Sequence, residues 1–315
     1  MEKNSLIKKI SLVLIFFLTL SACSESEDGS GTPPENESVN KLDYYLNCTN
    51  LYSEDIYEGF EDYLDEINVE VGPTGEEWFI GISPTYREIE LCAANIQEAN
   101  ALNTESQLNE LANTYLEALR TLHPLMVEAD EYYTQEDYLN DGYAKGQELH
   151  EPLMEALNQF RTADNELREA IDMILDQSRQ ETLNKLEASG DEFNSLDLKL
   201  MREAKNLVHL GNVPNFAALE LEAFSAALKR YETSLDEIKT YKKAKKDETG
   251  DFRTYAPNED DYDDVLLYAK ELMRAKRDGE AEDLEDERGY INDLVEYYND
   301  LIEERGGVKV YSFVY

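Results

Sequence analysis

The stretch 221–238 reads LEAFSAALKRYETSLDEI, and its apolar residues recur at alternating steps of three and four. The positions that share this stripe are Leu221, Phe224, Leu228, Tyr231, Leu235 and Ile238. Such spacing places side chains on one face of an α-helix. Two or three heptads fit a helical bundle as well as an extended coiled coil. The stretch therefore predicts an amphipathic helix that packs against other helices.

Comparable apolar stripes recur through residues 41–305. The first includes Tyr45 and Cys48 and ends before the sequence GPTG at 72–75, where glycine permits positive φ and proline blocks a helix. Further stops are predicted at Asp141–Gly142, Gly190 and Gly211–Asn212. This pattern predicts an all-α, elongated bundle of seven to nine helices with coiled-coil-like seams, formed by a helical domain at 41–305.

Two helix starts follow from local signals. We expect the second helix to begin at Ser83, with Pro84 in its first turn. Thr104 followed by Gln107 has the spacing of a capping box, which predicts the start of the third helix.

The second half of the domain contains longer helical patterns. One persists from 144 to about 188, and Pro152 either kinks it or lies in the first turn of a fresh segment. The polar stretch 246–261 predicts a loop, and the last apolar seam is expected to begin at Leu284.

The C-terminal tail, residues 306–315, differs from the rest of the chain. It reads GGVKVYSFVY, and its β-branched and aromatic content is typical of a strand. Two interpretations remain open, since the tail can pack on the bundle or reach a partner.

The N-terminal residues predict a secretory signal. Residues 10–23 read ISLVLIFFLTLSAC after a segment with three lysines, which is typical of a signal peptide over 1–22. Residues 20–23 match the bacterial lipobox, so we expect cleavage between Ala22 and Cys23 and lipidation of Cys23. An ordinary secreted protein whose cleavage site happens to end in cysteine is the alternative.

Residues 23–40 are acidic and rich in Gly, Ser and Pro, which predicts a flexible linker anchored by lipid. The run SESED at 24–28 resembles the export signal of surface lipoproteins in some bacteria, although a plain solvated linker explains it as well. We therefore expect lipid anchoring in the cell envelope, on the extracytoplasmic side, with the outer membrane as the expected membrane and the periplasmic or surface face left open.

The formal net charge of −40 limits the kinds of partner. So acidic a surface repels the phosphates of nucleic acid, and no nucleic-acid partner is expected. The acidity can reflect solvation, adaptation to salt, or attraction of cations and basic proteins.

The chain contains three cysteines, at positions 23, 48 and 92. If Cys23 carries lipid, Cys48 and Cys92 remain as a pair in an oxidising compartment, which predicts a disulfide. They lie on the inward faces of consecutive helices, and antiparallel packing can bring them within bonding range. Two separate buried thiols are the alternative.

Residues 132–150 read YYTQEDYLNDGYAKGQELH and are the most distinctive part of the chain. This run resembles the YiiG-type bacterial lipoproteins, and similarity also covers Cys48, the turn at 72–77 and Cys92. The resemblance implies a lipoprotein with an all-helical extracytoplasmic domain, and it brings no catalytic site. Five residues are taken as a candidate binding surface: Tyr132, Tyr133, Asp141, Lys145 and His150.

Motifs of catalysis and cofactor binding are missing from the sequence. It contains no GxSxG, P-loop, GxGxxG or HExxH pattern, so no catalytic residue, cofactor or metal site is assigned. His150 has glutamates nearby, but in so acidic a chain we favour a structural histidine. The leading hypothesis is a non-catalytic lipoprotein that binds or scaffolds an envelope protein. The alternatives are a cation- or metal-binding lipoprotein that uses acidic side chains and His150, and, third, a hydrolase with an unrecognised carboxylate site.

Overall fold

Most of the chain that the structure describes is folded into α-helices. The computed structural model describes residues 41–77, 80–102, 106–249, 259–305 and 307–311, so the predicted signal peptide and linker lie outside it. Within these ranges there is no β-strand, and the helices are α1 (Lys41–Glu66), α2 (Ile89–Leu102), α3 (Ser106–Thr134), α4 (Tyr138–Asp141), α5 (Ala144–Ser189), α6 (Glu192–Gly211), a 3-10 turn (Phe216–Ala218), α7 (Leu221–Thr249), α8 (Glu259–Asp278) and α9 (Leu284–Arg305). The predicted all-α class is confirmed. No described helix has the length and apolar content needed to cross a membrane.

Buried apolar side chains form two cores rather than one. The first lies among α1, α2, α3 and the part of α5 that ends at Ile171, and the second lies among α6 to α9. Helix α5 has 46 residues and is therefore about 69 Å long at 1.5 Å per residue. Because only its first part enters the first core, the remainder extends beyond it and pairs with α6.

The apolar stripe of α7 lies in the second core, as its spacing predicts. Phe224, Leu228 and Tyr231 are buried there, together with Leu235 and Ile238, while Leu221 at the helix start is half-buried. The predicted seam of α9 differs at its first position, because Leu284 is 47% exposed. Burial in α9 begins at Ile291.

The second helix starts six residues later than predicted, at Ile89 rather than Ser83. Residues 83–88 instead lie against α1 and α3. The Ser83 N–H donates to the Gly59 carbonyl at 2.9 Å, and the Glu88 carbonyl accepts from the Tyr52 hydroxyl at 2.8 Å. Backbone groups used in this way are satisfied without a helix, so the Pro84 signal does not start one.

Gly59 permits the close approach of this segment to α1. A Cβ atom at position 59 would lie 1.9 Å from the Ser83 carbonyl oxygen, which is backbone and cannot rotate away. We expect Gly59→Ala to lower the free energy of unfolding by about 1–3 kcal/mol, as overpacking does. Urea unfolding monitored by circular dichroism measures it.

Gly289→Ala is the matched control for this substitution. Gly289 is an exposed residue of α9 with no atom within 4 Å of its Cβ position. Alanine there is expected to be neutral or to stabilise by about 0.5–1 kcal/mol through helix propensity. Equal effects of the two substitutions would contradict the close contact.

Other predicted boundaries agree in part. Pro152 lies inside α5, which continues across it from Ala144, so no fresh helical segment starts there. The predicted loop at 246–261 is wrong at both ends, because α7 runs to Thr249 and α8 begins at Glu259, while residues 250–258 lie outside the described part. Thr104 of the predicted capping box lies outside the described residues.

The described part of the C-terminal tail packs on the bundle, which was one of the two open interpretations. Val308 and Tyr311 pack against the first core and Val310 against the second. Residues 307–311 form neither helix nor strand, and residues 312–315 lie outside the described part. The tail therefore joins the two cores over these five residues.

Candidate functional site

The predicted disulfide is present in the structure. Cys48 on α1 and Cys92 on α2 are bonded, with their Cα atoms 5.1 Å apart, and both are buried in the first core. Cys23 and Ala22, the predicted lipidation and cleavage residues, lie outside the described residues.

The candidate binding surface is largely a buried corner rather than an exposed face. Tyr132, Tyr133 and His150 are 2%, 6% and 8% exposed, whereas Asp141 and Lys145 are exposed. The prediction of a binding surface is therefore corrected for the three buried residues. Sequence spacing indicates which of these residues lie on the same helix. It does not indicate that the turn at 72–75 packs against the start of α5, beside the three buried side chains.

His150 joins α5 to the end of α1 and the segment after it. Its Nδ1 atom lies 2.8 Å from the Tyr63 hydroxyl, and its Nε2 atom lies 2.8 Å from the Val69 carbonyl. Gly72 has a positive φ, and a Cβ atom there would lie 2.9 Å from the imidazole. Burial raises the pKa of Tyr63 well above its ordinary range, so its hydroxyl stays protonated. Both ring nitrogens of His150 are thus engaged within the protein, as expected for a structural histidine.

Asp141 organises the start of α5. It accepts the Tyr132 hydroxyl at 2.8 Å and the Lys145 backbone N–H at 3.1 Å. Burial and the hydrogen bond to Asp141 raise the pKa of Tyr132 to about 12. Desolvation raises the pKa of Asp141, but the hydrogen bonds from Tyr132 and from backbone N–H groups at the start of α5 together outweigh it and lower the pKa. The Lys145 ammonium pairs with Glu128 on α3 at 3.0 Å, so the two exposed residues also serve local structure.

Asp164 and Arg168 form a buried ion pair that the sequence patterns did not predict. Asp164 is fully buried, and its carboxylate accepts from Ser53 at 2.7 Å, from Tyr57 at 2.8 Å and from the Arg168 Nε at 2.7 Å. The Arg168 guanidinium also donates to the carbonyls of Thr49 and Lys309. Burial lowers the pKa of Arg168, but the Asp164 charge together with the interactions of Tyr311, Tyr57 and Tyr115 outweighs this effect, and the pKa ends above its ordinary value.

A sequence signal for this pair did exist. Asp164 and Arg168 are spaced i,i+4 and fall between Phe160 and Ile171 on the inward stripe of α5. Charges at inward positions are found where partners satisfy them. Those partners come from α1 and the tail, which lie more than a hundred residues away in sequence.

An open groove of about 1210 Å³ runs along α3 and α5 and ends at residues 69–71. Its rim includes five glutamates: Glu70, Glu117, Glu151, Glu155 and Glu166. Ala118, Met154 and Ala163 supply apolar surface. The described residues that line the groove include neither lysine nor arginine. Of the five residues of the candidate binding surface, only His150 lines this groove. The groove combines acidic side chains with apolar surface.

Metal coordination is a different chemistry and needs convergent ligands. Among the described residues, no group of three or more His, Cys, Asp or Glu side chains is arranged to hold a metal ion. Of the five groove glutamates, Glu117 lies on α3 and Glu70 in the segment after α1, and the other three lie on α5.

Comparison with known proteins places the chain in a family. The "Uncharacterized protein YiiG" of Escherichia coli (strain K12) is 30% identical over 185 residues, which are 56% of this chain and 52% of that protein. The match thus spans about half the length of this curated relative, and no solved structure matches the chain. A family model described as "Protein of unknown function (DUF3829)" matches residues 36–305. The predicted YiiG-type resemblance is confirmed, and the chain belongs to the DUF3829 family.

Proposed function

We propose that this protein is a non-catalytic, lipid-anchored component of the bacterial cell envelope that binds a basic amphipathic segment of another envelope protein. The single observation that carries the proposal is the groove on α3 and α5, with five glutamates and no described lysine or arginine. Cys23 supplies the anchor, and the linker at 23–40 separates the anchor from the helical domain.

Charge complementarity supports a basic ligand for this groove. A negative groove in a chain of net charge −40 steers cationic partners and disfavours acidic ones. An amphipathic helix in a groove places its apolar face on the floor and its charged residues at the rim. Ala118 on α3 and Met154 on α5 line the groove and supply apolar surface, and Glu117 and Glu155, their neighbours in sequence, supply the charge.

Replacing two glutamates of the groove tests this proposal. We expect Glu151→Lys/Glu155→Lys to weaken binding of an 18-residue amphipathic Lys/Leu peptide by about ten-fold or more, equivalent to ~1.4 kcal/mol. The reason is that two attractive charges become repulsive. Fluorescence anisotropy at low and high salt measures the change, and binding to the unaltered protein should weaken as salt rises.

Glu148→Lys/Glu169→Lys is the matched control. Both glutamates are exposed residues of α5 that do not line the groove, and their replacement changes net charge equally.

A photocrosslinker at Asn158 of the groove should also capture one envelope protein in cells, whereas a crosslinker at Glu169 should not. Equal loss of peptide binding in both double variants would contradict a groove-specific site. A stoichiometric bound ion in native mass spectrometry would instead favour the cation-binding alternative.

Cys23→Ser tests the anchor separately. Without a thiol at position 23 no lipid can be attached, so we expect the protein to move from the membrane fraction to the soluble fraction. The variant should also lose incorporation of radiolabelled palmitate. Ser30→Ala in the predicted linker is the control, since it leaves all three cysteines intact and should keep the label. Unchanged labelling of the Cys23→Ser variant would contradict lipidation at this residue.

A further inference from the structure

The C-terminal tail is held through its backbone by two asparagine side chains, one from each core. Asn50 on α1 donates to the Gly307 carbonyl at 2.9 Å and accepts the Lys309 N–H at 3.2 Å. Asn299 on α9 donates to the Val310 carbonyl at 2.7 Å and accepts the Val310 N–H at 2.8 Å. Each amide thus bonds to one N–H and one carbonyl of the tail, as a neighbouring strand would.

Two tail side chains enter pockets of defined chemistry. Lys309 is 4% exposed, and its ammonium lies 2.6 Å from a Glu54 carboxylate oxygen and 2.5 Å from one of Glu303. Tyr311 lies under the Arg168 guanidinium, whose carbon is 4.5 Å from the ring centre, and its hydroxyl donates to the Asn50 carbonyl at 2.9 Å. The alternating side chains, 309 and 311, therefore occupy an acidic pocket and a cationic, aromatic-binding pocket.

This arrangement has both parts of extended-peptide recognition. Main-chain hydrogen bonds provide affinity, and pockets for alternate side chains provide specificity. A separate open groove of about 540 Å³ lies alongside, lined by Lys309, Val310 and Tyr311 and by residues of α1 and α9. Solvent therefore reaches the tail along one side. The tail contacts also differ from those of the helices, because the Lys309 and Val310 N–H groups donate to side chains instead of to a helix or a sheet.

We propose that the cleft formed by α1, α5 and α9 is a peptide-binding site, and that residues 307–311 are its resident ligand, held reversibly. The ligand class is an extended peptide with a lysine followed two residues later by a tyrosine. This site is distinct from the α3–α5 groove and does not depend on the function proposed for that groove.

The test uses the full chain with a tail that no longer fits. In the Lys309→Glu/Tyr311→Ala protein, the glutamate faces Glu54 and Glu303, so the altered tail should leave an otherwise intact cleft. A fluorescein-labelled synthetic peptide with the sequence of residues 307–315 is the probe. We expect saturable one-to-one binding by fluorescence anisotropy, at least ten-fold tighter than to the unaltered protein, whose own tail competes.

Altered peptides provide the specificity control. Versions of the probe with Lys309→Glu or Tyr311→Ala should bind at least ten-fold more weakly than the natural sequence. If the double variant is folded by circular dichroism and does not bind the probe, or binds a scrambled peptide equally well, the proposal is overturned.

Hydrogen exchange in the unaltered protein decides the question if the double variant fails to fold. A reversibly held tail predicts that the Lys309 and Val310 amides exchange at least ten-fold faster than buried amides of α1 and α9. Exchange of these tail amides only at the rate of global unfolding would show that the tail is a fixed part of the fold.

Discussion

Replacing Arg168 by methionine is expected to lower the free energy of unfolding by about 3–5 kcal/mol, the usual cost of removing one partner of a buried ion pair. The substitution leaves the Asp164 carboxylate buried without its cation. It also removes the guanidinium donors to the carbonyls of Thr49 on α1 and Lys309 in the tail. These two buried carbonyls would then lose a hydrogen-bond donor, which further lowers the free energy of unfolding. Urea unfolding by circular dichroism measures the change.

Two further variants separate the ion pair from general effects on α5. Lys185→Met removes an exposed cation of the same helix and should change stability by less than about 0.5 kcal/mol. In Asp164→Leu/Arg168→Met no charge is left unpaired, so its loss should be smaller than the sum of the two single losses. A loss below about 1 kcal/mol in Arg168→Met would show that the pair does not hold α1, α5 and the tail together.

Removing the disulfide is the other change with a large expected effect. Cys48 and Cys92 are 44 residues apart, and closing a loop of this length restricts the unfolded chain by roughly 4 kcal/mol in the chain-entropy description. We therefore expect Cys48→Ala/Cys92→Ala to lower the free energy of unfolding by about that amount, with a further loss from the emptied core volume. Chemical unfolding with and without a reducing agent measures both parts.

The thiol count gives an independent check of the bond. Protein exported to its native compartment and carrying Cys23→Ser should show no free thiol when denatured without reductant. Reductant should lower the stability of this protein and leave the Cys48→Ala/Cys92→Ala variant unchanged. Two free thiols in the denatured, unreduced protein would contradict the disulfide.

Local patterns were sufficient for several features of the fold. The stripe through Phe224 and Tyr231, the stop at Gly190 and the pairing of Cys48 with Cys92 depend on spacing, on backbone preference and on adjacent helices. Those properties are encoded within a few turns of helix or across one short connection. The sequence was therefore enough to predict an all-α bundle with this disulfide.

Long-range contacts decided the features that were missed or left open. The segment 83–88 is not helical because Gly59 and Tyr52 of α1 bind its backbone. Tyr132, Tyr133 and His150 are buried where the turn at 72–75 packs against the start of α5. In each case the contact that decides the structure comes from an element far away in the sequence. Local periodicity carries no information about such contacts.

The sequence by itself determined the helices, their apolar faces, the disulfide and the acidic character of the molecule. Only the tertiary structure decided that two cores form, that Asp164 and Arg168 make a buried ion pair bonded to α1 and the tail, and that residues 307–311 lie in a cleft. The physical reason is that a helix face depends on neighbours three and four residues away. A buried charge, a groove or a bound tail depends instead on groups that only packing brings together.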